Sequence, residues 1–76
     1  MPETHAARFA AALARLRGAA GLTHYRLAGL AGISQTELAR MERGRREPKL
    51  ATLCRLCDAL GCGMDELTGR DRAEGA

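Results

Sequence analysis

The stretch LAGLAGISQTEL, residues 27–38, constrains this chain more than any other. Leu27, Leu30 and Ala31 fall on one face of a helix, and Leu38 and Met41 form the apolar stripe of another. Only Ile33 separates Gly32, which can take the left-handed conformation of a sharp helix exit, from Ser34. Ser34 and Glu37 read as the capping box S-x-x-E, which starts the next helix at Gln35. Two helices joined by about three residues around a glycine cannot lie antiparallel and must cross steeply. Ala28, four residues before the glycine, has a methyl small enough to let the following helix approach.

The rest of the chain reads as helices of the same kind. Thr4 caps a first helix to about residue 20, with Phe9, Leu13 and Leu16 at helical spacing, and Gly18 and Gly21 weaken and then stop it. Thr23 caps the second helix. Gly44 ends the third, and Pro48 prevents its continuation through RREPK. A fourth is expected from Leu50 to Leu60, with Leu50, Leu53, Leu56, Cys57 and Leu60 facing inward. GCG breaks it, and MDEL makes a short fifth. Hydrophobic residues make up 46% of the chain, with one Phe, one Tyr and no Trp, so the core is aliphatic. The fold class is therefore all-α, one domain over residues 5–68, with 69–76 a polar disordered tail.

Charge is distributed unevenly. Residues 1–49 carry nine Arg or Lys against four Glu, a net +5, while residues 50–76 carry three basic and five acidic groups, a net −2. A basic face with a neutral or acidic back suits an anionic partner. No apolar run reaches the ~18 residues of a membrane span. The first eighteen residues lack the basic start and uncharged apolar run of a secretory signal. With three cysteines, an odd number, this predicts reduced thiols in the cytoplasm.

Between Phe9 and Leu67 the sequence resembles the Cro/CI-type (XRE-like) helix-turn-helix family of bacterial and phage transcriptional regulators. The pieces that carry the likeness are LTHYRLA, GIS, MERGRREP and LCDALGC followed by MDEL. The resemblance implies a compact five-helix, lambda-repressor-like fold, usually dimeric, with the helix-turn-helix formed by helices two and three. It also implies that the third helix enters the major groove of double-stranded DNA.

The residues agree with that expectation. Gln35, Thr36 and Arg40 project away from the Leu38–Met41 stripe and match the family's base-reading positions. Gln can read adenine bidentately, Arg can read guanine, and a Thr methyl can touch thymine. Arg43, Arg45 and Arg46 follow at the helix end and in the loop, where they would neutralise phosphates. Thr23 and His24 would offer donors to another phosphate, although His24 stands where the family usually has Gln- or Glu-like residues. Arg17 and Glu42 match a pair that the family uses to tie the first helix to the third, so Glu42 is read as structural.

The bland readings differ from residue to residue. Arginines on a helix are usually a solvated face, but four within seven residues directly after this motif point to DNA. For Glu37, helix capping is favoured over base contact, because phosphates repel a carboxylate. Cys54, Cys57 and Cys62 lack a fourth ligand near enough for zinc and are read as small hydrophobes, Cys57 in the core. No catalytic constellation, metal site, cofactor or small-molecule ligand is expected. Lys49 and Gly63 replace the usual caps of the fourth and fifth helices. The expected function is a sequence-specific transcriptional regulator, a repressor, acting as a homodimer on a palindromic operator. The alternative is an antitoxin-like module that uses the same fold on a partner protein such as a toxin.

Overall fold

A computed structural model describes residues 4–69 of the chain. It contains five helices: α1 His5–Ala19, α2 His24–Ala31, α3 Gln35–Glu42, α4 Leu50–Leu60 and α5 Met64–Thr68. No strand occurs among the described residues, and the expected tail lies outside them apart from Gly69. No helix there is long and apolar enough to cross a membrane.

Hydroxyl side chains start the first three helices. Thr4 accepts from the N–H of Ala7 at 3.0 Å, Thr23 from Arg26 at 3.1 Å and Ser34 from Glu37 at 3.0 Å. Each bond satisfies one of the backbone donors that a helix leaves unpaired at its start, worth ~1 kcal/mol. α2 stops at Gly32, whose φ of 71° lies in the left-handed region. The N–H of Ile33 then reaches back to the carbonyl of Ala28 at 3.0 Å, which fixes the angle at which α3 departs.

Every helix contributes to one core. Leu13 of α1, Leu27 of α2, Leu38 and Met41 of α3, Leu56 of α4 and Leu67 of α5 are fully buried. At ~1.5–3 kcal/mol for each large apolar side chain taken out of water, these six dominate the stabilising side of folding. α1 packs on α3 and α5, α2 on α3 and α4, and α4 on α5. Ala28 is 2% exposed, so its methyl belongs to the core.

Two expected core leucines are not in the core. Leu30 is 56% exposed and Leu50 70%. At 3.6 residues per turn the buried arc of α2 runs from Leu27 through Ala31 to Ala28, and Leu30 lies about 60° outside it. Leu50 does lie on the inward stripe of α4. Burial along that stripe grows from Leu50 through Leu53 to Leu56, so the first turn overhangs the core.

Candidate nucleic-acid interface

The surface of interest is the outer side of α3. With Leu38 and Met41 locked inward, the helical period turns Thr36, Arg40 and Arg43 almost directly outward, with Gln35 on the flank. All four side chains are exposed. Ala39 falls on the same face, and its small side chain leaves room around its polar neighbours. Sequence reasoning passed over it because an alanine carries no chemistry of its own.

The chain then folds back. The N–H of Arg43 donates to the carbonyls of Ala39 and Arg40, and the N–H of Arg45 donates to Arg40 at 3.0 Å. This reversal brings Arg45 and Arg46 beside Arg40, and the three line one open depression. Gln35 borders a second open groove, of about 410 Å³, with Tyr25, Arg26, Leu30 and Ile33. Both are shallow and open, a shape suited to the surface of a polymer rather than to an enclosed small molecule.

Glu37 does not complete the capping box predicted for it. Ser34 makes its half of the box, but the Glu37 carboxylate points instead towards Arg46, with Oε2 3.9 Å from Nε. The pair is long and about half exposed, so it contributes at most ~1 kcal/mol. The reciprocal bond appears at α5, where the N–H of Gly63 donates to Glu66 Oε2 at 3.0 Å. Gly63 has no side chain to return it.

Behind α3, Arg17 and Glu42 pair bidentately. Nε donates to Oε2 at 2.7 Å and Nη2 to Oε1 at 3.2 Å, while Nη1 donates to the carbonyl of Leu22 at 2.9 Å. One guanidinium thus joins α1, the α1–α2 link and the last turn of α3. The sequence pointed to the pair; nothing in it pointed to the Leu22 carbonyl. His24 joins as well, its Nε2 3.1 Å from Glu42 Oε1. The distance is that of a close polar contact with a carboxylate that Arg17 already holds by both oxygens. His24 therefore turns a ring nitrogen inward, although 43% of its side chain is exposed.

Burial on its own would raise the pKa of Glu42. Arg17, and His24 after it, more than offset burial and hold the carboxyl below its usual range, while the same pairing raises the Arg17 guanidinium. The thiols behave differently. Burial first, and then the neighbouring Cys62, Cys54 and Asp58, push Cys57 up to about 11, and burial likewise raises Cys62. Cys57 is buried, Cys62 half-buried and Cys54 exposed. Protonated thiols in these positions act as small apolar side chains. Among the described residues no three His, Cys, Asp or Glu side chains group as metal ligands.

A small helical protein that carries a polar and basic face on the second helix of a helix-turn-helix falls in the class of DNA-binding regulators. The comparisons place it further: the chain belongs to the helix-turn-helix domain family, which it matches over residues 8–70. It is 46% identical over 54 residues to an HTH-type transcriptional regulator of Sinorhizobium fredii, covering 71% of this chain and 70% of the relative. Its fold is similar to that of a restriction-modification controller protein of Aeromonas hydrophila, with a TM-score of 0.78 and 34% identity. That match covers 82% of this chain and 94% of the other. The clp gene regulator ClgR of Corynebacterium glutamicum superposes with a TM-score of 0.85 at 28% identity, over 99% and 97% of the two chains. The protein is a DNA-binding transcriptional regulator of the helix-turn-helix type.

Proposed function

We propose that this chain is a sequence-specific repressor that lays α3 in the major groove and binds a near-palindromic operator as a homodimer. The observation that carries the reading is the outward set of Gln35, Thr36 and Arg40, held opposite the buried Leu38 and Met41 and flanked by Arg43, Arg45 and Arg46. In this reading Gln35, Thr36 and Arg40 read base edges, and the three later arginines, with Thr23 and His24, hold phosphates. Arg17, Glu42 and Ser34 set the orientation of α3 and contact no base. Leu50 of α4 and Met64 of α5 leave apolar surface exposed, which a second copy would cover. Two-fold symmetry then sets half-sites about one helical turn apart, ~34 Å. A dimer seated over a promoter excludes polymerase, hence repression, and the compartment is the cytoplasm.

The test is selection from random duplexes at two salt concentrations, followed by sequencing. A palindromic motif retained at the higher salt is expected. Retention without a motif, lost as salt rises, would leave only electrostatic binding and defeat the proposal. On the selected site, Arg40→Ala is expected to lose ~1–3 kcal/mol of discrimination at one base pair per half-site. Arg45→Ala is expected to weaken binding to every sequence and to flatten the salt dependence. Identical behaviour of the two variants on operator and random DNA would refute this division of labour.

A further inference from the structure

Three sulfur atoms gather where α4 passes into α5. α4 ends at Gly61, whose φ of 67° lies in the left-handed region. Two backbone bonds close that end: the N–H of Gly61 donates to the carbonyl of Asp58 at 3.3 Å, and the N–H of Cys62 to that of Cys57 at 3.0 Å. Such an ending folds the residue after the glycine back over the last turn, where an apolar pair commonly makes contact. Here both positions of the pair, 57 and 62, are cysteines, and the two thiols shift each other's pKa, which requires close approach. α5 then begins at Met64 and brings its Sδ to 3.6 Å from the Cys57 Sγ. Cys57 is buried, Cys62 half-buried and Met64 37% exposed, so the group is reachable from solvent.

We propose that Cys57, Cys62 and Met64 form a binding site for a single soft monovalent metal ion, Cu(I). The donors select the metal. Two thiols and a thioether, with no imidazole or carboxylate among them, are ligands that suit Cu(I). A structural zinc ion takes four ligands, and among the described residues no third His, Cys, Asp or Glu joins the two thiols. Hard cations such as magnesium and calcium require oxygens. On binding, each thiol gives its proton to solvent, and the ion accepts electron pairs from two thiolates and the thioether. The loaded site carries one net negative charge. Cys54 and Asp58 of α4 and Glu66 of α5 disfavour the thiolates, while Arg15 of α1 favours them. A cation held between the two sulfurs offsets these oppositions and deprotonates the thiols outright. The site belongs to α4 and α5 rather than to the outward face of α3, so its test does not depend on the DNA-binding reading.

The measurement is a titration of the reduced full chain with Cu(I), kept reduced by ascorbate in the absence of oxygen, in competition with a chromophoric Cu(I) chelator. The natural chain is expected to withdraw one ion per chain from the chelator and to melt at a higher temperature when loaded. Cys62→Ala, at a half-buried position, is expected to lose the uptake, and Met64→Leu to weaken it. Cys54→Ala, at an exposed position, is expected to leave it unchanged. Circular dichroism verifies that each variant is folded. Copper left with the chelator by the natural chain would overturn the proposal, and so would uptake that Cys62→Ala retains or Cys54→Ala abolishes. Equal affinity in Met64→Leu would remove the thioether and overturn the three-sulfur set. Zn(II) in the same competition is expected to stay with its chelator, and a preference of the chain for zinc would overturn the choice of metal.

Discussion

The two halves of this small domain are built by different means. From α1 to α3, every helix begins on a hydroxyl cap, and a guanidinium ties the first helix, the link after it and the end of the third. From α4 to α5, neither Lys49 nor Gly63 supplies a side-chain cap, and the elements are held by Leu56, Leu67 and a thiol whose Sγ lies 3.6 Å from the Met64 sulfur. The charge follows the same division, basic in the first half and slightly acidic in the second. Directional bonds fix angles, whereas apolar burial fixes proximity and tolerates adjustment. The half that carries the outward polar and basic face of α3 is the half organised by directional bonds.

Breaking the network should show that contrast at its largest. Glu42→Ala leaves Arg17 without its carboxylate and is expected to destabilise the domain by about 3 kcal/mol in urea unfolding. Asp58→Ala, an exposed carboxylate on α4, should stay within about 0.5 kcal/mol. Similar losses in both would erase the distinction between the halves. The network also sets a pH limb. Because the folded protein holds Glu42 below the ordinary carboxylate range, its contribution is fully present above that range. It is lost as pH falls through the folded value, so Glu42→Gln should flatten the acid side of a stability profile.

The capping difference gives a smaller and sharper pair of outcomes. Ser34→Ala should cost ~1 kcal/mol, because the N–H of Glu37 loses its acceptor, while Lys49→Ser should gain ~0.5–1 kcal/mol by adding an acceptor where none exists. Opposite signs in thermal unfolding would establish that the first half is already capped and the second is not. Smallest is Gly18→Ala. Its added methyl meets nothing within 4 Å, so a gain of ~0.5–1 kcal/mol is expected from helix propensity. A loss there would mean that the end of α1 needs the glycine to place Arg17.

Local chemistry carried the reading of the elements. Caps, breakers and helical spacing act within a few residues, so Thr4, Thr23, Ser34, Gly32 and Gly44 mark boundaries that the structure follows closely. The same reasoning failed at Leu30, which lies outside the buried arc of α2, and at Leu50, because an apolar stripe says which side of a helix turns inward and not how far along it the neighbouring helices reach. It failed at Glu37 too, where a capping motif met a competing arginine from the loop beyond Gly44.

By itself the sequence determined the five helices, the sharp turn at Gly32 and the outward placing of Gln35, Thr36 and Arg40, since each follows from spacing along a single helix or turn. The tertiary structure alone decided that Arg45 and Arg46 fold back beside Arg40, that the Leu22 carbonyl receives Arg17, and that His24 shares the Glu42 carboxylate. These contacts join residues on separate elements, and the packing of those elements around the buried leucines sets their distances. Periodicity registers a direction around one helix axis, but a contact between helices depends on how the helices meet.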